Sequence, residues 1–283
     1  MEFVYSTRNP SVPTAYSRLD AMHTACEILL PRMEESAARA LVDRVWDLVA
    51  DADRRYNRFA AGSLLSEVNA AAGEGPVPVD EELFLMLELC ETFRKATLGY
   101  FDVTAGSRIP ERALELDASA HTVRFSRPWM RLDLGGFAKG YVLEKAVKAV
   151  SAVTDCALLS FGGSSTAAVG KHPFGEPWPV SVAHRFYPSK VAHTFSLSGA
   201  ALSVSGKDPR GRGHIVDPFS GNTVEKEGLV AVTGPSAMVT EVLSTALWVA
   251  PSGKRGEMLS AFEGYRAWEI LCRADGEALT RKI

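Results

Sequence analysis

The chain has 283 residues, of which 46% are hydrophobic and 23% are charged, as is typical of a soluble globular protein. Its net charge of −3 argues against a general nucleic-acid or membrane surface, so an anionic ligand would have to be held by local groups. The four cysteines form no CxxC pair, which fits a reducing compartment. The sequence has no apolar leader and no 18-residue apolar run. We therefore expect a cytoplasmic protein with no membrane insertion and no nucleic-acid partner.

Short strand-like runs outnumber helical ones along the chain. Residues 1–18 are polar and contain proline, which predicts an irregular arm before one domain over residues 19–283. Periodicity predicts helices at about 34–55, 81–97, 137–150 and 236–250. Strands are predicted at 25–30, 123–125, 130–134, 157–161, 165–169, 178–182, 193–197, 201–205 and 229–234, with a closing hairpin around Asp275 and Gly276. This order favours a single α+β domain with a largely antiparallel sheet core flanked by helices.

The stretch RLDLGGFAKGY (131–141) passes from an alternating run into a helix through two glycines. Adjacent glycines let the backbone approach a ligand, and the unpaired N–H groups at a helix start attract anions. Lys139 adds a positive charge in the first helical turn, where it opposes the helix dipole and does not stabilise the helix. The stretch therefore indicates either a phosphate site or a plain glycine turn with a surface lysine.

A second pair of glycines ends an apolar run in SFGGSSTAAVG (160–170). The small residues that follow leave room for a flat ligand. The alternative interpretation is a glycine bulge in a sheet.

His214 lies beside a glycine in GRGHIVDPFSGNTV (211–224). A histidine in this setting can act as a general base near neutral pH, or it can simply cap a turn. The other histidines show no metal-ligand spacing, which argues against a zinc site.

Glu241 and Thr245 lie four residues apart in TEVLSTALWVA (240–250), so a helix places them on one face. A carboxylate and a hydroxyl on an otherwise apolar face need a polar partner, and Mg²⁺ would satisfy both. A surface Glu–Thr pair is the alternative.

In GYFDVTAG (99–106), two aromatic residues precede an acid directly after a predicted helix end. They could stack on a planar ring, or form a buried aromatic loop.

In this order the segments resemble those of the ApbE family, the FAD:protein FMN transferases. Family members carry an MGT-like stretch, a Sel-x-x-lN segment, GaFDpT, DLGGiAKGy, a lvnlGG strand, HIiDPxTG and a helix with AD-x-x-xT. The counterparts here are MHT (22–24), SLLSEVN (63–69), GYFDVTAG, LDLGGFAKGY, LLSFGG, HIVDPFSG and TEVLST. They span about residues 20–250.

The resemblance implies an ApbE-like, T-fold-like α+β fold with FAD in a cleft and Mg²⁺ at its pyrophosphate. It also implies transfer of FMN from FAD to a threonine hydroxyl of an acceptor protein, with release of AMP. An FAD pyrophosphatase that gives FMN and AMP, or a non-catalytic FAD-binding homologue, are the alternatives. The matching positions that would line the flavin nucleotide are Met22, Phe59, Tyr100, Phe101, Asp102, Asp133, Lys139 and Ile215.

By the same resemblance, the metal ligands would be the carbonyl of Gly136, the carboxylate of Glu241 and the hydroxyl of Thr245. His214 would be the catalytic base. One departure concerns the metal directly, because the family has an aspartate where this chain has Glu241. The glutamate is one methylene longer, and Mg²⁺ demands near-octahedral geometry.

Overall fold

The computed structural model describes residues 1–107, 114–207 and 213–283 of the chain, which form fourteen strands and six helices. The helices are α1 (Glu35–Tyr56), α2 (Leu64–Ala71), α3 (Glu81–Ala96), α4 (Ala138–Ser151), α5 (Ala237–Val249) and α6 (Ser252–Ser260). The first seven strands are β1 (Glu2–Ser6), β2 (Thr14–Ala21), β3 (Thr24–Pro31), β4 (Val77–Pro78), β5 (Leu114–Asp117), β6 (Thr122–Phe125) and β7 (Cys156–Phe161). The others are β8 (Ser165–Gly170), β9 (Trp178–Ala183), β10 (Val191–Leu197), β11 (Ala201–Gly206), β12 (Leu229–Gly234), β13 (Arg266–Cys272) and β14 (Ala278–Lys282).

A nine-stranded sheet organises the fold, in the order β1-β2-β3-β7-β8-β11-β12-β13-β14. Every pairing within it is antiparallel. Two small sheets, β10-β9 and β4-β6-β5, accompany it. The prediction of an α+β fold with a largely antiparallel sheet core is confirmed.

The two faces of the large sheet bury different cores, because alternate residues of a strand point to opposite sides. In β12, Val230 and Val232 join the main core, whereas Ala231 joins a second core. Helices α1, α4 and α5 pack into the main core. The β9–β10 hairpin covers the other face with Trp178 and Phe195.

The predicted helices form because their apolar residues recur at helical spacing, and in α3 and α5 a side chain also caps the first turn. In α1, the buried residues Leu41, Val45 and Val49 recur every four positions. Asp80 caps α3 as predicted, by accepting a hydrogen bond from the backbone N–H of Leu83 at 2.9 Å. Among the described residues, no helix is long and apolar enough to cross a bilayer.

The N-terminal residues are ordered, where the sequence predicted an irregular arm over 1–18. Strand β1 pairs with β2 from Glu2 opposite Arg18 to Ser6 opposite Thr14. Side chains reinforce this edge, since the hydroxyl of Ser17 donates to the carbonyl of Glu2 at 2.5 Å. The prediction of an irregular segment was wrong because the strand pairing satisfies the backbone of this polar stretch.

The strand predicted at 130–134 is also wrong, although its alternation is real. Leu132 and Leu134 are buried, and Asp133 is exposed. The side-chain amide of Asn69 takes the place of a neighbouring strand, because it bonds the N–H of Leu132 at 2.6 Å and its carbonyl at 3.0 Å. The N–H of Asp133 donates to the carbonyl of Val103 at 2.7 Å. Side-chain and loop partners therefore satisfy this backbone.

Helices α4 and α5 cross closely at Gly140. A methyl group there would lie 2.6 Å from the Cβ of Glu241 and 2.8 Å from the carbonyl oxygen of Ala237. We predict that Gly140→Ala lowers the free energy of unfolding by about 1–3 kcal/mol, as overpacking does, measured by urea denaturation. Gly256→Ala in α6 is the matched control, because among the described residues no atom outside its own helix backbone and chain neighbours lies within 4 Å of the added methyl group. Equal effects of the two substitutions would contradict the close crossing.

Glu82 of α3 connects three helices through its carboxylate. It accepts hydrogen bonds from Arg55 of α1 at 2.6 Å, from Tyr141 of α4 at 3.2 Å, and from Lys145 of α4. Burial alone would raise its pKa, but the bonds from Lys145 and Arg55 lower the pKa from 4.5 to about 2. The ionised carboxylate therefore contributes stability above pH 4.5 that is lost as the pH falls toward 2.

We accordingly predict that Glu82→Gln is destabilised relative to the unmodified protein at pH 7, and that the difference shrinks between about pH 4.5 and pH 2. Urea unfolding at a series of pH values measures this difference in the free energy of unfolding. Glu88→Gln, at an exposed position of the same helix, is the control. A difference for Glu82→Gln that does not change with pH would rule out this role of its charge.

Candidate active site

Helix α5 carries a carboxylate and a hydroxyl into the protein interior. Ser236 caps its start by accepting a hydrogen bond from the N–H of Val239 at 3.2 Å. Ten of its thirteen residues are buried, so it has no polar face on which Glu241 could reach solvent. Glu241 is only 4% exposed, and Thr245 lies one turn further along. The alternative of a surface Glu–Thr pair is therefore wrong, because this carboxylate is inside the protein.

Lys139 provides the positive charge that the buried carboxylate needs. Its ammonium lies 2.6 Å from Oε1 of Glu241 and also donates to the carbonyl of Gly135 at 3.3 Å. Lys139 is the second residue of α4, the helix that follows the Gly135–Gly136 turn. The ion pair explains why a lysine occupies a helix start that its charge opposes.

The three predicted metal ligands gather around this ion pair. A side chain at Gly136 would place its Cβ 3.2 Å from Oγ1 of Thr245 and 3.7 Å from the ring of Phe101. Glycine thus leaves a gap between the turn and α5. The three predicted ligands offer a carboxylate, a hydroxyl and a backbone carbonyl, the kinds of oxygen that a hard cation takes. Oε1 of Glu241 already faces a cationic group, so these residues fit Mg²⁺.

Asp133 and Phe59 form a second group beside the glycine turn. Asp133 accepts a hydrogen bond from the N–H of Gly135 at 2.9 Å and pairs with Arg58 at 3.2 Å. The guanidinium of Arg58 also lies 4.4 Å above the ring of Phe59, which is 71% exposed. The edge of His23 contacts the same ring at 5.6 Å between centroids. An exposed, oriented aromatic ring next to a cation could stack on a planar ligand.

Met22 precedes His23 in the tight β2–β3 turn, and both residues have positive φ, 53° and 59°. Met22 is partly buried against the main core. The turn therefore holds His23 against Phe59.

The GYFDVTAG segment joins the site from the end of α3. Phe101 is buried at 3% exposure, and the carboxylate of Asp102 accepts hydrogen bonds from the N–H and the hydroxyl of Thr104, at 2.7 and 2.6 Å. Burial raises the pKa of Asp102, and the bonds from Thr104 partly offset this effect. Tyr100 meets Phe219 edge-on at 5.0 Å between ring centroids. This contact brings the GYFDVTAG and HIVDPFSG segments together.

His214 is exposed and Ile215 is partly buried against the main core. The segment turns back on itself, because the N–H of Val224 donates to the carbonyl of Ile215 at 2.9 Å and Val216 bridges to Thr223. Gly211 and Arg212, which begin this motif, lie outside the described residues.

Gly162 and Gly163 of SFGGSSTAAVG lie in the turn between β7 and β8, and this turn requires glycine. Both glycines have φ of +67°, and a side chain at Gly162 would place its Cβ 2.2 Å from Oγ1 of Thr24. The turn leads directly into β8, whose first residue, Ser165, hydrogen-bonds Glu241. The two glycines thus lie in a hairpin turn between β7 and β8, and not in the glycine bulge that the alternative interpretation predicted.

Three side chains that complete the site were not among the residues predicted from the sequence. Ser165 and Ser203 bond the Glu241 carboxylate, and Arg58 pairs with Asp133. One signal was available for Ser203, because ALSVS places Ser203 and Ser205 on one side of a strand and hence toward one partner. Nothing local marks Ser165 or Arg58.

Comparison with known proteins decides the family. A sequence model described as "ApbE family" matches residues 22–110 and 107–268, most of the chain. The chain belongs to the ApbE family. Among curated relatives of this family member, the FAD:protein FMN transferase of Chlamydia trachomatis serovar D is 26% identical over 78% of each chain. The enzyme of the same name from Treponema pallidum is 25% identical over 89% of this chain and 83% of its own.

Solved structures establish the ApbE fold for the chain. The flavin transferase ApbE from Vibrio cholerae superposes with a TM-score of 0.80 over 96% of this chain and 97% of its own, at 18% identity. The ApbE protein of Thermotoga maritima gives a TM-score of 0.78 over 98% and 96%, at 20% identity.

The Lys139–Glu241 pair can be tested through stability. We predict that Lys139→Met lowers the free energy of unfolding by about 3 kcal/mol, because it leaves a buried carboxylate without its ammonium partner. Millimolar Mg²⁺ should raise the melting temperature of this variant more than that of the unmodified protein, since a cation can replace the lost charge.

Lys145→Met is the matched control in the same helix, because its partner Glu82 retains Arg55 at 2.6 Å. Its loss of unfolding free energy should be smaller than that of Lys139→Met. The rise of its melting temperature with Mg²⁺ should be no larger than that of the unmodified protein. Equal responses of the two variants to Mg²⁺ would count against a cation position at Glu241.

Proposed function

We propose that this ApbE-family protein transfers FMN from FAD to a threonine hydroxyl of an acceptor protein and releases AMP, with Mg²⁺ as the metal. The observation that carries the proposal is the meeting of the LDLGGFAKGY turn and the TEVLST helix, which joins Lys139, Glu241 and Thr245 in one polar site. The two curated relatives described above bear the name of this activity.

The bonds that form and break in this reaction determine what the groups of the site must do. The threonine oxygen bonds to the phosphorus on the FMN side of the pyrophosphate, the P–O bond to the AMP phosphate breaks, and AMP leaves with that electron pair. The hydroxyl proton must go to a base, and His214 is the proposed acceptor. Its exposure suits a substrate that is itself a protein.

The phosphates carry the charge that the site must stabilise. Bound Mg²⁺, held by Gly136, Glu241 and Thr245, would neutralise charge on the pyrophosphate. Lys139 pairs with Glu241 at 2.6 Å, and with Mg²⁺ bound there its ammonium would turn to a phosphate oxygen and stabilise the charge on the leaving group. Phe59, Tyr100, Phe101, Asp102, Asp133, Met22 and Ile215 are proposed to contact the remaining nucleotide surface.

The decisive assay measures AMP release from FAD together with covalent flavin fluorescence on an acceptor peptide that has one threonine among small residues. We expect both signals to require Mg²⁺ and the threonine, and a threonine-to-valine peptide to give neither. AMP and FMN appearing at the same rate without a peptide would identify an FAD pyrophosphatase. A complete absence of AMP with several acceptors would identify a non-catalytic flavin-binding protein.

For the proposed base, we predict that His214→Asn lowers the transfer rate by roughly 10²–10⁴-fold while FAD affinity, measured by fluorescence quenching, changes little. His193→Asn is the control, because His193 lies in β10 of the hairpin on the other face of the sheet and should retain full activity. Full activity of His214→Asn would exclude it as the base.

A further inference from the structure

The carboxylate of Glu241 is held from within the sheet by two serine hydroxyls. Ser165 at the start of β8 donates to Oε2 at 2.5 Å, and Ser203 in β11 donates to the same oxygen at 2.9 Å. Both serines are 2% exposed. Hydrogen bonds to an ionised carboxylate are short and strong, so these two fix the orientation of the side chain.

The hydroxyl network continues from Glu241 to the second proposed metal ligand. Ser203 lies 3.0 Å from the hydroxyl of Ser244, which lies 2.8 Å from that of Ser205. Ser205 in turn lies 3.5 Å from Oγ1 of Thr245. Four oxygen-to-oxygen steps thus connect Glu241 with Thr245 through β11 and α5, so Ser203 takes part in orienting both residues.

The two oxygens of Glu241 consequently have different surroundings. Oε2 faces Ser165 and Ser203, whereas Oε1 faces the ammonium of Lys139. The two hydroxyl hydrogens occupy the accepting positions of Oε2, so Oε1 is the oxygen that a metal would meet when it displaces the ammonium of Lys139. The carboxylate is therefore held in place through Oε2, while Oε1 faces the ammonium of Lys139, whose position a metal cation could take.

We infer that Ser165 and Ser203 are positioning residues that hold Glu241 by Oε2 and present Oε1 to the metal, an inference that rests on the proposed function. Together they let a glutamate serve where an aspartate would be shorter by about 1.5 Å, the length of one C–C bond. The longer side chain has one more torsion to order, and the two hydrogen bonds supply that order.

Mn²⁺ affinity, read by electron paramagnetic resonance on the full chain, tests this role without requiring turnover. In Ser165→Ala/Ser203→Ala we expect the Kd for Mn²⁺ to rise roughly 10–100-fold, as loss of groups that orient metal ligands does. Each single variant keeps one donor, so its Kd for Mn²⁺ should lie between those of the unmodified protein and the double variant. Ser203→Thr retains a hydroxyl and should stay near the unmodified protein.

Thr166→Val is the matched control. Thr166 is the next residue of β8, is 3% exposed, and bonds Ser160 at 3.3 Å on the other face of the sheet. Its removal should lower the melting temperature without changing the Kd for Mn²⁺. A double serine variant that loses melting temperature but keeps the unmodified Kd would overturn the inference, because the hydroxyls would then serve stability alone.

Glu241→Asp provides a second, independent comparison. The shorter carboxylate cannot remain within reach of both serines and the cation position, so removing the serines in the Asp background should change the Kd for Mn²⁺ less than twofold. A loss as large as that in the Glu background would show that the serines act without Glu241 and would overturn the inference.

The same samples separate this inference from the proposed transfer reaction. If FAD yields no AMP but the Kd for Mn²⁺ depends on the serines, the inference stands and the transfer function fails. If FMN transfer proceeds and the Kd is unchanged by the serine variants, the inference fails alone. An unmodified protein that binds no Mn²⁺ at millimolar concentration overturns the inference, and the AMP assay then decides the function separately.

Discussion

The buried ion pair between Lys139 and Glu241 is the interaction around which the site is arranged. A carboxylate at 4% exposure is tolerated only when paired and hydrogen-bonded, and Glu241 has an ammonium at 2.6 Å and two serine hydroxyls. Apolar residues of similar size would serve stability at least as well, because desolvation of two charges can exceed their mutual attraction. The retention of charge within so apolar a helix therefore argues for a role in binding.

Formation of that pair depends on how α4 and α5 are brought together. Gly140 removes the side chain that would separate the helices, and Glu144 of α4 bonds the hydroxyl of Ser236 at 2.8 Å and the N–H of Met238 at 3.3 Å. Glu144 of α4 thus caps α5, while Lys139 of α4 neutralises the carboxylate of Glu241 in α5. Because the contacts are reciprocal, a shift of either helix would disturb both the cap and the ion pair.

Local sequence patterns were sufficient for most helices and strands, and failed where distant groups supplied the hydrogen bonds. Alternation correctly predicted that Leu132 and Leu134 are buried, yet the ladder partner is the side chain of Asn69, 63 residues away. The spacing of Glu241 and Thr245 correctly predicted a shared helix face. That Glu241 would meet both Ser165 and Ser203 depended on the sheet order, in which β8 lies beside β11, and no local pattern specifies that order.

The same sheet order explains why glycine and serine recur in the motifs of this chain. The turn at Gly162–Gly163 reverses β7 tightly enough for Ser165 to begin β8 opposite Phe161, and β8 pairs with β11 so that Ser165 faces Ser203 directly. The Cβ atoms of directly opposite residues on neighbouring strands lie about 5 Å apart, a spacing that lets one carboxylate oxygen accept from both hydroxyls. The backbone conformation that the two glycines permit therefore sets the position of Ser165. Ser165 in turn determines which oxygen of Glu241 can meet a cation.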